Sequence, residues 1–143
     1  MLQPKTKVWI HLIISTKDKL PLIHSDFENQ VHSFLKEELT NHGCLVELIN
    51  GTADHVHAIF LLNPEKSLNK IMEELIITST AIINKNYFSS GSFAWQPDYV
   101  AFSVSESLLT KMIEYIKNQK EHHKKQTFTN ELNEFLKLHQ LSK

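Results

Sequence analysis

Arginine is absent from this chain, and all fifteen basic residues are lysine. Bidentate guanidinium recognition of guanine or phosphate is therefore excluded. A basic surplus is missing as well. The formal net charge is −1, whereas nucleic-acid proteins usually carry excess positive charge. Cys44 is the only cysteine, which excludes a disulfide framework and a cysteine-type zinc site. No apolar run approaches the roughly 20 residues that span a bilayer. The run Val8 to Ile14 is short, contains His11 and ends in a polar turn, so it does not read as a signal segment. A cytoplasmic protein with no membrane partner is expected. Repeats, low-complexity tracts and linkers are also missing, and 143 residues fit a single domain over 1–143.

What the chain does have is histidine, nine in all. Two of them, His55 and His57, flank Val56 at the front of an apolar run that ends at Leu62. Side chains alternate along a β-strand, so positions i and i+2 share a face. His55 and His57 then project side by side, while Val56, Ala58 and Phe60 point the other way. Two imidazoles held like this can offer two nitrogens to one metal ion, and imidazole suits Zn, Cu, Fe and Ni. On these two residues alone, a pair of ordinary histidines at a strand entrance remains open.

The chain around them alternates in type. Val8 to Ile14 reads as a buried strand, and Ser15 to Pro21 as a loop. Ser25 with Glu28 suggests a capping box, followed by Phe27, Val31, Phe34, Leu35 and Leu39 on one helical stripe. Gly43 stops that helix. Cys44 to Ile49 is a second strand, Asn50-Gly51 a turn signal with Thr52, Ala53 and Asp54 lengthening the connection, and His55 to Leu62 the third strand, paired as a hairpin. Ser67 caps a helix to about Asn86. A loop from Tyr87 to Asp98 leads to a short strand, Tyr99 to Ser103. One long helix is expected over Glu106 to Lys125, and a last one over Thr127 to Lys143 with Leu132, Phe135, Leu136 and Leu138 as its apolar side. This order predicts an α+β fold. Its first six elements form the split βαβ (ferredoxin-like) pattern, an antiparallel sheet with helices on one face. The other face is then free to carry a site.

On the long helix, Tyr115 and Gln119 are four apart and share a face. Leu108, Met112 and His122 continue it, and Leu109, Ile113 and Ile116 form a neighbouring stripe suited to the core. An exposed tyrosine beside a glutamine carries no chemistry by itself.

Taken together, these segments resemble the single-tyrosine HUH transposases of small bacterial insertion sequences, the REP-associated tyrosine transposases included. The resemblance is carried by the first strand with Lys17 to Pro21, by Asp54-His55-Val56-His57, and by Phe93-Ala94-Trp95-Gln96. It continues through Ala101 to Ser105, then Tyr115 to Gln119 with Glu121-His122-His123. Asp98 and Val100 flank Tyr99 where the family often has glycine. The resemblance implies an HUH endonuclease-type fold, with His55 and His57 as paired metal ligands, Gln119 as the third ligand and Tyr115 as the nucleophile. It also implies Mg²⁺ or Mn²⁺, and single-stranded DNA with hairpin ends as the partner. Cleavage would pass through a 5′-phosphotyrosine. The assembly implied is a homodimer whose tyrosine helix can complete the partner's site in trans.

Such chemistry needs an in-line nucleophile and neutralised phosphate oxygens. A phenol with an ordinary pKa of about 10 is mostly protonated at neutral pH. Three neutral ligands would leave the cation's charge undiminished and positions open for phosphate oxygen. Lys111, Lys117, Lys120, Lys124 and Lys125 make the long helix basic, and His122 shares the Gln119 face. Lys111, Lys117, Lys120, Lys124 and His122 are the candidate DNA contacts. Trp95, Tyr99 and Phe102 could stack on bases, although core packing is the expected task of at least two. Two other readings stand beside this one. The first is a catalytically silent, hairpin-binding descendant. The second is an RNA-binding module, which would expose aromatics on central strands where this chain carries histidines.

Overall fold

The computed structural model of the chain describes residues 2–124 and 126–139. Its regular elements are β1 (Trp9–Ser15), α1 (Glu28–Asn41), β2 (Leu45–Gly51), β3 (His55–Leu61), α2 (Leu68–Tyr87), β4 (Val100–Val104), α3 (Leu109–Lys117), α4 (Gln119–His122) and α5 (Phe128–Leu138). The four strands form one sheet in the order β2-β3-β1-β4, with every neighbouring pair antiparallel. This is the split βαβ arrangement expected from the element order.

Strand alternation sorts the residues. Ile10, Leu12 and Ile14 of β1, with Val56, Ala58 and Phe60 of β3, face the helices α1 and α2. There they meet Val31, Leu35, Leu39, Ile71, Met72, Leu75 and Ile83 in the main core. Side chains this deeply buried contribute about 1.5–3 kcal/mol each relative to exposure. Ser67 caps α2 by accepting from the Lys70 backbone N–H, as expected. Gly43 takes φ +80° just after α1, a conformation that favours glycine at a helix stop.

The opposite sheet face is not free, contrary to expectation. Trp9 and Ile59 pack on Ile116 of α3, with Leu109 and Ile113 beside them. Ile13 and Phe102 pack on Phe128 of α5, with Leu132 and Phe135. The apolar stripes of α3 and α5 need a partner, and that sheet face is the available one. Trp95 and Phe102 are buried, so they offer no surface for stacking on bases; Tyr99 is half-buried.

Three further local expectations give way. Asn50-Gly51 is not the turn: both residues lie in β2, where Asn50 pairs with His57 and Gly51 with Val56. The connection falls on Thr52 to Asp54. Phe27, not Ser25, occupies the position before α1, without a side-chain cap. Glu28 instead accepts from Lys120 Nζ at 2.9 Å. Finally, the single long helix breaks at Asn118, which ends α3 and precedes α4. The Asn50 side-chain N–H donates to the Ile116 carbonyl at 2.9 Å and to that of Lys117 at 3.3 Å. It thereby satisfies carbonyls that the break would leave unpaired. Lys125 and residues 140–143 of the expected last helix lie outside the described residues.

A side chain at Gly51 would collide with the His55 carbonyl oxygen and lie 2.9 Å from Val56 Cα. Backbone on the partner strand cannot yield as a side-chain tip does. Gly51→Ala is therefore expected to destabilise the protein by about 2 kcal/mol, read as a lower urea midpoint. An unchanged midpoint would contradict the described hairpin.

Candidate functional site

The site lies between β3 and the helices α3, α4 and α5. His55 and His57 project from the α3–α5 side of β3, and both are 0% exposed. The break at Asn118 starts α4 on Gln119, which is also 0% exposed. Gln119 Oε1 lies 3.0 Å from His55 Nε2. The cluster thus unites His55, His57, Gln119 and Tyr115 within one chain.

At its centre sits a residue that sequence reasoning did not single out. Glu131 of α5 is 1% exposed. Its Oε1 lies 3.0 Å from His57 Nε2 and 3.8 Å from His55 Nε2. Its Oε2 accepts from Gln119 Nε2 at 3.1 Å and from the Tyr115 hydroxyl. His122 Nε2 lies 3.2 Å from Oε2, and His123 Nε2 3.3 Å from Oε1. The signal was present in the sequence. Glu131 falls between Phe128, Leu132 and Phe135 on the stripe that α5 turns inward. A lone acid on an apolar stripe marks a buried polar contact.

A second layer holds the histidines. His55 Nδ1 donates to Asp54 Oδ1 at 2.7 Å, with Thr52 Oγ1 3.0 Å from the same nitrogen. His55 also stacks on Phe128, centroids 3.9 Å apart. His57 Nδ1 lies 2.7 Å from Nε2 of His11 on β1. His11 was read only as a strand residue, yet it shares the site face with Trp9 and Ile13. Outer partners of this kind fix the tautomer and ring orientation of metal-binding histidines.

The electrostatics follow from burial. Burial lowers the pKa of His57 to about 4, more than the Glu131 hydrogen bond raises it. Burial also holds His11 well below the ordinary value, helped by His57. Burial pushes the Glu131 carboxyl up, but the His57 hydrogen bond and the donors Tyr115 and Gln119 outweigh this, so it stays ionised. Burial, then Glu131, raises the Tyr115 phenol. Asp54 is held low because the His55 contact outweighs its burial.

One contact tests whether a cation fits. Because Glu131 is an acceptor, Gln119 must turn its NH₂ toward it, which aims Oε1 at His55. His55 gives its Nδ1 hydrogen to Asp54, so Nε2 presents a lone pair. Two lone pairs facing each other at 3.0 Å repel unless positive charge lies between them. A proton or a metal ion answers that requirement, and the donor set of imidazoles with an amide oxygen suits a divalent metal.

The candidate DNA contacts fall in different places. Lys111 and Lys117 are exposed on α3. Lys120 is tied to Glu28 and, at 3.3 Å, to the Gly51 carbonyl. Lys124 pairs with Glu121 at 2.9 Å. His122, partly exposed, reaches into the cluster: its Nε2 lies 3.0 Å from the Tyr115 hydroxyl. A shallow cleft of ≈ 160 Å³ lined by Tyr115, His122, Glu134, Phe135 and Leu138 opens on the phenol.

Fold and site together define a split βαβ protein of the histidine-pair type, with a tyrosine and a carboxamide one helical turn apart beside the pair. The sequence model of the IS200-like transposases matches residues 4–119, and the chain belongs to that family. Among solved structures it is similar to a candidate transposase of Deinococcus radiodurans R1. That likeness has 21% identity and TM-score 0.66, covering 83% of this chain and 98% of the other. It is also similar to a REP-associated tyrosine transposase bound to a REP hairpin. There the identity is 10% and the TM-score 0.65, over 86% of this chain and 73% of the other. At such identities these two likenesses show the fold alone. No curated protein matches.

The shifted histidines give the metal-free protein a pH signature. His11, His32, His57 and His123 all have lowered pKa values, burial being the first cause in each. Between the folded and unfolded values, the unfolded chain binds protons that the folded chain refuses. Stability is therefore full above about pH 6.5 and falls as pH drops toward 4. Thermal melts in EDTA are expected to show a lower Tm at pH 5 than at pH 7.5; a flat or rising Tm toward acid would contradict the described burial.

Proposed function

We propose that this single-domain protein nicks and rejoins single-stranded DNA near hairpins, with Tyr115 as the nucleophile and a divalent metal at His55, His57 and Gln119. The observation that carries the reading is the convergence of a phenol, a carboxamide and two imidazoles from separate elements in one buried cluster. Family membership supports DNA transposition as the setting. The REP hairpin in the similar solved structure supports a hairpin as the ligand. DNA substrates accord with a cytoplasmic location.

In this mechanism the Tyr115 oxygen forms a bond to phosphorus and the bond from phosphorus to the 3′-oxygen breaks. The phenol proton passes to a neighbouring acceptor; Glu131 Oε2 and His122 Nε2 are the two atoms in contact with the hydroxyl. The departing 3′-oxygen becomes a hydroxyl. A second 3′-hydroxyl then attacks the phosphotyrosine, and the phenol is restored, so no nucleotide cofactor is needed. A bound Mg²⁺ or Mn²⁺ would supply Lewis-acid polarisation of the phosphate. Gln119 and the two imidazoles orient that charge, and Asp54 and His11 hold the imidazoles in place. Exposed Lys111 and Lys117 attract the DNA backbone, with Lys120, Lys124 and His122 as further contacts.

One phenol per chain serves one strand end at a time, so a reaction on two ends calls for a homodimer. The cluster within this chain supports completion in cis. Completion in trans would need α3 and α4 to exchange between copies.

The same contacts favour a second reading in one respect. The two imidazoles and the carboxamide are closed to solvent, and the half-buried phenol is hydrogen-bonded to a carboxylate. That would suit a catalytically silent, hairpin-binding descendant. An adduct assay separates the two. With Mn²⁺ and hairpin-bearing oligonucleotides, the native chain is expected to give a covalent protein–DNA band and a free 3′-hydroxyl. Tyr115→Phe should lose the band, more than about 10³-fold, while keeping hairpin affinity in gel shift. Adducts that persist in Tyr115→Phe would remove this tyrosine from the mechanism. Hairpin binding by the native chain without any adduct would favour the silent descendant.

A further inference from the structure

We propose that Glu131 is itself a metal ligand, its Oε1 joining His55 Nε2, His57 Nε2 and Gln119 Oε1 around one divalent cation, so that the ion fastens α5 to the sheet. The proposal rests on the reading that the histidine pair binds a cation, and it adds an anionic ligand from a separate element.

Geometry is the first support. Metal bonds of about 2.1 Å to nitrogen and oxygen place neighbouring donors about 3.0–3.4 Å apart in octahedral or tetrahedral sites. The donors observed lie 3.0 Å apart for His57 and Glu131, 3.0 Å for His55 and Gln119, and 3.8 Å for His55 and Glu131. The two imidazole nitrogens and the carboxylate oxygen all lie within 4.8 Å of one another. They already stand close to the edges of a coordination polyhedron.

Charge is the second. Among the described residues, every ion-pair partner of Glu131 is an imidazole, and no lysine reaches it. A buried carboxylate without a fixed cation is costly. A bare divalent ion held only by neutral ligands in a dry cluster is costly too, and each relieves the other. The two imidazoles beside the carboxylate favour Mn²⁺, Co²⁺ or Zn²⁺ over Mg²⁺.

A comparison within the chain sharpens this. Glu38, His42 and Glu74 also converge, but there Lys66 Nζ donates to His42 Nδ1 at 3.0 Å. His42 must then carry its hydrogen on Nε2, where it serves Glu38 at 3.2 Å and Glu74 at 3.0 Å. No imidazole lone pair is left for an ion. At Glu131, among the described residues, no lysine fixes the imidazole: His57 Nδ1 faces His11 Nε2 at 2.7 Å, so the His57 hydrogen can sit on Nδ1 and leave the Nε2 lone pair for an ion.

The test is metal binding by the full chain, stripped with EDTA and titrated calorimetrically with Mn²⁺ and Co²⁺. The native chain should bind one ion, and His57→Ala should lose it. Glu131→Gln keeps the shape but not the charge, and should weaken binding by more than about tenfold. It should also shrink the rise in Tm on metal addition and alter the visible absorption of the Co²⁺ complex. Should Glu131→Gln fail to fold, as judged by circular dichroism in EDTA, Glu131→Asp serves instead. Its shortened carboxylate should shift the Co²⁺ bands. Glu131→Gln matching the native chain in affinity, Tm increment and spectrum would overturn the ligand role while leaving the histidine site standing. Unchanged Co²⁺ bands in Glu131→Asp, where that variant is the one read, would do the same. A native chain that binds neither ion would remove both.

Discussion

A carboxylate with 1% of its surface exposed must be surrounded by donors, and the far side of this protein is built to supply them. Breaking such a buried network by removing one partner typically costs about 3–5 kcal/mol. The donors around Glu131 come from β3, α3 and α4. One side chain therefore fixes the relative positions of three pieces of backbone. Gln119 is turned by it, Tyr115 is held by it, and α5 lies where it does partly because of it.

The two sheet faces carry separate burdens. Val56, Ala58 and Phe60 join a predominantly apolar layer with α1 and α2. The buried polar cluster is kept to the other face. There His55 and His57 take the alternate positions of the same strand, so the core locks their register. A slip of one residue would turn both imidazoles into the apolar layer. The site therefore inherits its precision from packing on the side of the sheet where no chemistry occurs.

Much of this was legible in the sequence, for physical reasons. Period-two alternation fixed the direction of His55 and His57, and period-3.6 stripes fixed α1, α2 and the core face of α3. What failed was local punctuation overruled by distant contacts. Asn50-Gly51 has strong turn chemistry, yet pairing with His57 and Val56 draws it into β2, and Asn50 caps a helix far along the chain. The break at Asn118 has no glycine or proline to announce it. Glu131 escaped notice because its meaning lies 74 residues away, at His57. Its place on an apolar stripe marks a buried contact, but not which partners it meets.

The phenol shows why the closed cluster and catalysis make opposite demands. In the described arrangement Tyr115 keeps its proton and donates a hydrogen bond to a carboxylate; burial, then that negative charge, raises its pKa. A nucleophile needs the reverse, an environment that favours the phenolate. A phosphodiester is also an anion that accepts hydrogen bonds. The donors it would seek, the Gln119 amide and the His57 imidazole, are the ones Glu131 already occupies. In the proposed reaction, carboxylate and phosphate would compete for these donors, and an exchange would cost mainly the packing of the apolar anchors Phe128, Leu132 and Phe135 that hold α5 down. Losing the carboxylate with no other anion in its place would leave the donors bare. The burial of α5 and the hydrogen bond that keeps Tyr115 protonated are therefore one constraint.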